Sequence, residues 1–206
     1  MNQSEKRLFL IQSLLNERPS CQKQIIPADS ERQNILLRGL MNVRRPVRIG
    51  ADFLQVQDAY LQDETAAKGI TDIAGLTPIQ PGLYLWQGDI TTLKCDAIVN
   101  AANSGMTGCY IPNHRCIDNA IHTYAGVELR LACAELMEQQ GHPEPTGQAK
   151  ITPAFNLPCR YVLHTVGPII DGRVTKEDKE LLASCYRSCL ELAAENGLES
   201  VAFCCI

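Results

Sequence analysis

The sequence has no apolar run approaching the ~20 residues needed to cross a bilayer, which excludes a helical membrane span. It also has no excess of basic residues, because 19 lysines and arginines face 23 aspartates and glutamates and the formal net charge is −4. General binding to nucleic acid or to an anionic membrane needs a basic field, so neither partner is expected. Residues 1–20 are too polar for a signal peptide. We therefore predict a cytoplasmic protein without nucleic-acid or membrane partners.

Internal repeats and low-complexity tracts are missing as well. The ten cysteines are not expected to form a disulfide framework, because in a reducing compartment they are thiols or metal ligands. What remains is ordinary globular composition, with 45% apolar and 20% charged residues. A chain of 206 residues can bury a core without a metal or disulfide to hold it together.

The pattern of apolar residues changes near residue 78. Before it, apolar residues recur at helical spacing and predict an N-terminal extension of helices only, residues 1–78, with Ser30 and Asp52 as candidate N-caps. After it, strand-like runs alternate with helices, which is typical of an α/β fold with crossover connections. The predicted strands are 83–87, 96–100, 150–155, 160–166 and 198–206, and the predicted helices are 116–125, 128–140 and 177–196.

The last predicted strand coincides with the end of the sequence. A parallel α/β unit ordinarily continues into a loop and a helix at such a point, and ligands bind in those loops. We therefore expect the natural C-terminal part to be missing, which would leave the α/β part, residues 79–206, without one ligand-binding loop.

Polar loops follow two of the predicted strands. Since ligands of α/β sheets bind beyond the carboxyl ends of strands, the loops after residues 87, 100 and 166 are the first places to examine. Asp89 follows the first strand, where a turn in which it bonds its own backbone is a sufficient explanation. Asn100 and Asn103 lie in NAANSG, where small residues admit a ligand and amides can both donate and accept. An ordinary Asn/Gly loop is the alternative there.

The segment 108–122, GCYIPNHRCIDNAIH, carries the densest group of metal-type ligands. Cys109, His114 and Cys116 can share one zinc and leave its fourth position open, as catalytic zinc requires. The alternatives are two buried cysteines with a chance histidine, or a Cys–His nucleophile pair in which His114 activates a thiol. Asp118 belongs to the first turn of the following helix, where the helix dipole alone explains it. It could also orient a ligand hydroxyl or a water.

Taken in order, these pieces resemble the macrodomain family. The matching runs are GDIT at 88–91, IVNAANS at 98–104, DxxIHxxAG at 118–126, TGQAK at 146–150 and LPCRYVLHTVGP at 157–168. Most macrodomains have a glycine-rich stretch where this chain has Cys109, His114 and Cys116. That departure, with the helical N-terminal residues, resembles the zinc-containing branch that is often linked genetically to sirtuin-type ADP-ribosyltransferases.

The resemblance implies a three-layer α/β/α mixed sheet, incomplete at its C-terminus, behind an N-terminal helical extension. The implied activity is zinc-dependent hydrolysis of the bond between ADP-ribose and a modified protein side chain. Cleavage at the anomeric carbon develops oxocarbenium character and needs a positioned water, and an open zinc can both orient a ribose hydroxyl and activate that water. No pair of carboxylates is evident for the usual glycosidase mechanism. The family pattern continues past residue 206 into a loop that cradles the diphosphate, so an inactive fragment of the hydrolase is also considered.

The resemblance also implies roles for individual residues. Asp89 would bind the adenine amino group with help from the backbone of Ile90. Asn103 would bond the distal ribose and Asp118 would lie beside it, which makes these two the candidate catalytic residues. The zinc ligands at the distal ribose would be Cys109, His114 and Cys116.

Two functions of other classes stay open at this point. A non-catalytic module could read ADP-ribose through Asp89 and Asn103 while zinc is structural. A structural zinc or thiol protein could share only the fold with the family.

Overall fold

The computed structural model describes residues 1–18 and 24–206. The helices are α1 Gln3–Asn16, α2 Ser30–Val43, α3 Ala51–Lys68, α4 Ile117–Ala125, α5 Val127–Gln140 and α6 Lys176–Glu195. The strands are β1 Thr71–Asp72, β2 Leu93–Lys94, β3 Ala97–Ala101, β4 Ala149–Pro153, β5 Tyr161–Thr165 and β6 Val201–Ala202. Among the described residues, no helix combines the length and the apolar character that crossing a bilayer would require.

Four strands form a mixed sheet in the order β4-β5-β3-β6. Strand β3 runs parallel to β5 and β6, and β4 is antiparallel to β5. Alternate residues of β3 face opposite sides, so Ile98 packs with Ile121 of α4 and Leu129 of α5, whereas Val99 packs with Cys189 of α6. The sheet is therefore covered by helices on both faces, which confirms the predicted three-layer α/β/α class.

The N-terminal helices build a core of their own. Leu10 and Ile11 of α1 are fully buried against Leu37 of α2 and Phe53 of α3, and Val127 at the start of α5 joins the same cluster. The extension therefore packs directly on the α4–α5 junction. The prediction that residues 1–78 contain only helices is wrong at β1. This strand pairs in parallel with β2, which precedes β3 in the sequence.

Both predicted N-caps are displaced by one or two positions. Asp29 caps α2 by accepting a hydrogen bond from the backbone of Arg32, and Ser30 is the first helical residue. Gly50 precedes α3, so Asp52 lies in the first turn, where the helix dipole favours its charge.

The segment 83–87 does not form the predicted strand. Leu83, Tyr84 and Leu85 are exposed, Leu85 at 81%, and the backbone makes only a bridge between Gln80 and Leu83. A strand needs a partner for its backbone groups, and within residues 1–18 and 24–206 no strand pairs with this segment. The predicted strand 198–206 shrinks to Val201–Ala202, which pairs with Ala97 and Ile98.

Candidate active site

The candidate site forms where β3 ends. Asn100 on β3 is fully buried and lies in register with His164 on β5. Its amide Nδ2 donates to Asp118 Oδ1 at 2.8 Å and lies 3.2 Å from His164 Nδ1. The central strand thereby fixes the carboxylate that projects from the first turn of α4.

The loop after β3 brings Asn103 to the same carboxylate. Asn103 Nδ2 donates to Asp118 Oδ2 at 3.3 Å and to the carbonyl of Gly108 at 3.2 Å, and its Oδ1 accepts from the backbone of Gly105 at 3.0 Å. Asp118 is only 5% exposed. Burial raises the pKa of Asp118 to about 6, although the hydrogen bonds from Asn100 and Asn103 act in the opposite direction. The two residues predicted as catalytic are therefore in contact.

The segment 109–116, called the metal loop below, folds its three predicted ligands together. Cys109 Sγ lies 3.7 Å from His114 Nδ1, and the ligand atoms of Cys109, His114 and Cys116 all lie within 4.8 Å of one another. Tetrahedral zinc with bonds of about 2.3 Å to sulfur and about 2.1 Å to nitrogen needs such spacing. The donor set, two sulfurs and one imidazole nitrogen, also suits zinc. These three residues therefore have the spacing and the chemistry to hold a zinc ion.

Two local features shape this loop. Gly108 has a φ of 84°, and a Cβ there would lie 2.8 Å from the His122 ring, so only glycine permits the close approach. At the other end Cys116 is the N-cap of α4, and its Sγ accepts a hydrogen bond from the backbone of Asn119 at 3.4 Å. Cys116 therefore has a structural role in addition to its place among the ligands.

Arg130 is a buried cation behind the metal loop. Its Nη1 donates to the carbonyls of Asn42 at 2.6 Å and Arg44 at 2.7 Å, at the C-terminal end of α2. Its Nη2 reaches the carbonyl of Cys109 at 3.4 Å, and its guanidinium lies 4.2 Å from the Tyr110 ring centroid. A cation at a helix C-terminus is favoured by the dipole, and here it also joins the extension to the loop.

The other predicted binding residue, Asp89, caps a 3-10 helix at Ile90–Thr92. Its Oδ1 accepts from the backbone of Thr91 at 3.0 Å, and its Oδ2 accepts from Lys68 Nζ at 3.0 Å. Partial burial opposes ionisation of Asp89, but the hydrogen bonds from Thr91 and Lys68 outweigh it and lower its pKa. The capping turn anticipated from the sequence is present. None of its hydrogen bonds reaches Asn103, Asp118 or the metal loop.

A second group with metal-type spacing lies beneath the site. The ligand atoms of His122, Cys133 and His164 are mutually within 4.8 Å, and all three residues are buried. Both nitrogens of His164 already have partners, however, since Nε2 lies 2.9 Å from Thr152 Oγ1 and Nδ1 faces Asn100. We therefore assign this group to the buried polar layer that supports Asp118.

Comparisons with known proteins decide the family. The model of the Macro domain family matches residues 99–206. A protein of Treponema medium named protein-ADP-ribose hydrolase is 61% identical over 210 residues, covering 100% of this chain and 80% of the relative. The chain belongs to the macro domain family. This confirms the resemblance seen in the five sequence motifs.

Other relatives of this macro domain carry similar names. A protein-ADP-ribose hydrolase of Staphylococcus aureus (strain MSSA476) is 50% identical over 200 residues, covering 96% of this chain and 75% of the relative. The Trypanosoma brucei macrodomain in complex with ADP-ribose is 31% identical with a TM-score of 0.58, covering 82% of this chain and 72% of that one. The Oceanobacillus iheyensis macrodomain with ADP is 44% identical with a TM-score of 0.51, but the match covers only 56% of this chain and 59% of the Oceanobacillus iheyensis chain.

Several residues of this macro domain contribute to the site without any sequence signal. Lys68, the last residue of α3, reaches Asp89 and lies 3.3 Å from the Tyr124 ring centroid. Arg38 of α2 and Arg130 of α5 both contact the metal loop. Arg38 and Arg130 lie far along the chain from their partners, and only the fold brings them together.

The burial of His164 predicts that acid destabilises the folded chain. Burial lowers the pKa of His164 to about 4, below about 6.5 for a free histidine. As pH falls through this window the unfolded chain binds the proton first, so this histidine's contribution to the free energy of unfolding is lost. We expect the destabilisation caused by His164→Gln to be smaller at pH 5 than at pH 7, by about 2 kcal/mol.

Urea unfolding at the two pH values measures this difference. His142→Gln is the control for replacing a histidine by glutamine, because His142 is exposed. An equal cost of His164→Gln at pH 5 and pH 7 would contradict the prediction.

Proposed function

We propose that this macro domain is a zinc-dependent hydrolase that removes ADP-ribose from mono-ADP-ribosylated protein side chains. The observation that carries the proposal is the convergence of Cys109, His114 and Cys116, with ligand atoms within 4.8 Å, on a loop that adjoins the Asn103–Asp118 pair. The names of the 61% and 50% identical relatives support the same reaction. The cytoplasm remains the predicted location.

Each end of the substrate has its own residues in this proposal. The Asp89 carboxylate accepts the hydrogen bond of the adenine amino group, beside the backbone of Ile90. The Asn103 amide orients the distal ribose, since Asp118 and Gly108 hold its Nδ2 in place. The metal ligands are Cys109, His114 and Cys116, and zinc held by them supplies Lewis acidity for a ribose or water oxygen.

Asp118 is the group that can move a proton. Its pKa of about 6 leaves it ionised near neutral pH, while burial keeps it basic enough to accept a proton. In the reaction, the bond between the anomeric carbon and the acceptor atom breaks and a bond from that carbon to the water oxygen forms. One water proton passes to Asp118, and Asp118 then gives it to the departing acceptor atom, which restores the carboxylate. The products are free ADP-ribose and the unmodified side chain.

The test is release of free ADP-ribose from a mono-ADP-ribosylated protein by zinc-loaded chain. The Treponema medium relative serves as the reference for the assay, because it is 61% identical across the whole chain. Release of ADP-ribose supports the proposal. Binding of ADP-ribose in calorimetry without any release supports the non-catalytic module, and neither binding nor release supports a shared fold alone.

Asp89→Ala is expected to weaken ADP-ribose binding by about 10- to 100-fold. The reason is the loss of a hydrogen bond to a charged acceptor, worth about 1.5–3 kcal/mol. Asp72→Ala is a closely matched control, because Asp72 also caps a 3-10 helix and pairs with a lysine, Lys94, at 2.9 Å. Calorimetry with ADP-ribose should show an unchanged Kd for the control. Equal affinities of the two variants would remove Asp89 from the binding site.

A further inference from the structure

One edge of α2, in the N-terminal extension, lies directly on the metal loop. Arg38 Nη2 donates to the carbonyl of His114 at 3.0 Å, and Asn42 Oδ1 accepts from the backbone of Asn113 at 2.9 Å. Between them, a Cβ on Gly39 would lie 3.1 Å from Asn113 Nδ2. A glycine inside a helix costs stability, and here it allows the helix to approach the loop closely.

Arg38 also acts on the loop through Asn119. Its Nη2 and Nε donate to Asn119 Oδ1 at 2.9 and 3.3 Å. A guanidinium has only donors, so this contact turns the amide such that Nδ2 faces the loop. There Nδ2 donates to the carbonyl of Ile111 at 3.0 Å and reaches that of Cys109 at 3.5 Å.

The result is a network that touches every ligand. Arg38 holds the backbone of His114 directly, Asn119 Nδ2 holds that of Cys109, and the Asn119 backbone donates to Cys116 Sγ. Asn119 is fully buried and Arg38 half-buried, so water competes little for the bonds of Asn119, whereas the bond from Arg38 to the His114 carbonyl is exposed. The two partners are separated by 81 positions in sequence.

We propose that Arg38 is a positioning residue that preorganises the metal loop and thereby sets its affinity for zinc. The inference rests on the proposed function in assuming that the loop holds zinc. A loop that must order itself on binding loses conformational entropy, and bonds made beforehand remove part of that loss. Outer partners of metal ligands typically change metal affinity by about 10- to 100-fold. The extension is in this view a working part of the site.

The experiment measures the zinc Kd of the full chain by competition with a chromophoric chelator. Arg38→Ala is expected to weaken zinc binding by about 10- to 100-fold. Arg38→Lys should recover part of the loss, because an ammonium keeps the charge but cannot reproduce the contact that Nε and Nη2 of the guanidinium both make with Asn119 Oδ1. Arg32→Ala is the matched control, since Arg32 lies on the same helix with 78% of its side chain exposed and, within the part of the chain that the structure describes, forms an ion pair only with Asp29 at 3.7 Å. We expect its Kd to equal that of the unmodified chain.

Amide hydrogen exchange of the metal loop in the zinc-free protein gives a second readout. Arg38→Ala should speed exchange in residues 109–116 and leave the β3–β5 amides unchanged. A zinc Kd that Arg38→Ala leaves unaltered, or that Arg32→Ala weakens equally, overturns the inference. If the unmodified chain takes up no zinc, the proposed function fails separately, and unchanged loop exchange in Arg38→Ala then overturns the positioning role as well.

Discussion

Cys116→Ser is expected to reduce bound zinc from about one ion per chain to below about 0.1 and to lower turnover by about 10³-fold or more. Serine is chosen because Cys116 is also the N-cap of α4. A serine hydroxyl is a good N-cap but a poor zinc ligand. The substitution therefore removes the ligand while preserving the start of the helix, which Cys116→Ala would not do.

Metal analysis, release of ADP-ribose and calorimetry together resolve the role of this residue. Binding of free ADP-ribose should stay within about threefold of the unmodified chain, because the adenine end is held by Asp89. Cys205→Ser is the control, since Cys205 is exposed and outside the metal loop. Loss of zinc with full turnover would make the metal structural. Unchanged zinc content would show that Cys116 is not a ligand.

The elements that the sequence predicted correctly are those whose signal lies within their own segment. Strand β3 is apolar on both faces because helices cover both, so the run 96–100 predicts it within one residue. The segment 83–87 is also mostly apolar, but it has no partner strand among the described residues, and it stays exposed. Strand pairing is a non-local property that a pattern within one segment does not contain.

The same distinction separates the parts of the candidate site. Cys109, His114 and Cys116 lie within eight residues, so their spacing alone predicts that they can meet. Arg38 meets His114 and Asn119 across 76 and 81 positions, and a lone arginine on a helix is ordinarily a solvated side chain. Its role becomes visible only when α2 is seen packed on the loop. Gly39, inside a helix, is the one local sign of that close approach.

Asp118→Asn is expected to lower turnover by about 10²- to 10⁴-fold while leaving the Kd for ADP-ribose nearly unchanged. An amide cannot accept the water proton that the carboxylate takes in the proposed reaction. It is close in size to the carboxylate and retains one oxygen, so it can still accept from Asn100 or from Asn103. The rate of ADP-ribose release and the calorimetric Kd measure the two effects separately.

The fold should tolerate Asp118→Asn because two contributions to the free energy of unfolding oppose each other. Removing a charge that is only 5% exposed stabilises the folded chain. The new amide places its NH2 against one of the two amide donors, which costs about 1–3 kcal/mol. We therefore expect a net change within about 2 kcal/mol in urea unfolding, too small for unfolding to explain a large loss of turnover.

Asp178→Asn is the control that distinguishes proton transfer by Asp118 from stabilisation of a helix N-terminus by a carboxylate. Asp178 also lies in the first turn of a helix, α6, but it is only half-buried, and among the described residues its side chain bonds only with Thr175. If Asp118 served only to interact with the helix dipole, each variant would lose about 0.3–1 kcal/mol in the free energy of unfolding. Neither variant would then lose turnover. Loss of turnover in Asp118→Asn alone, with zinc still bound, would place the proton transfer on Asp118 and not on the metal loop.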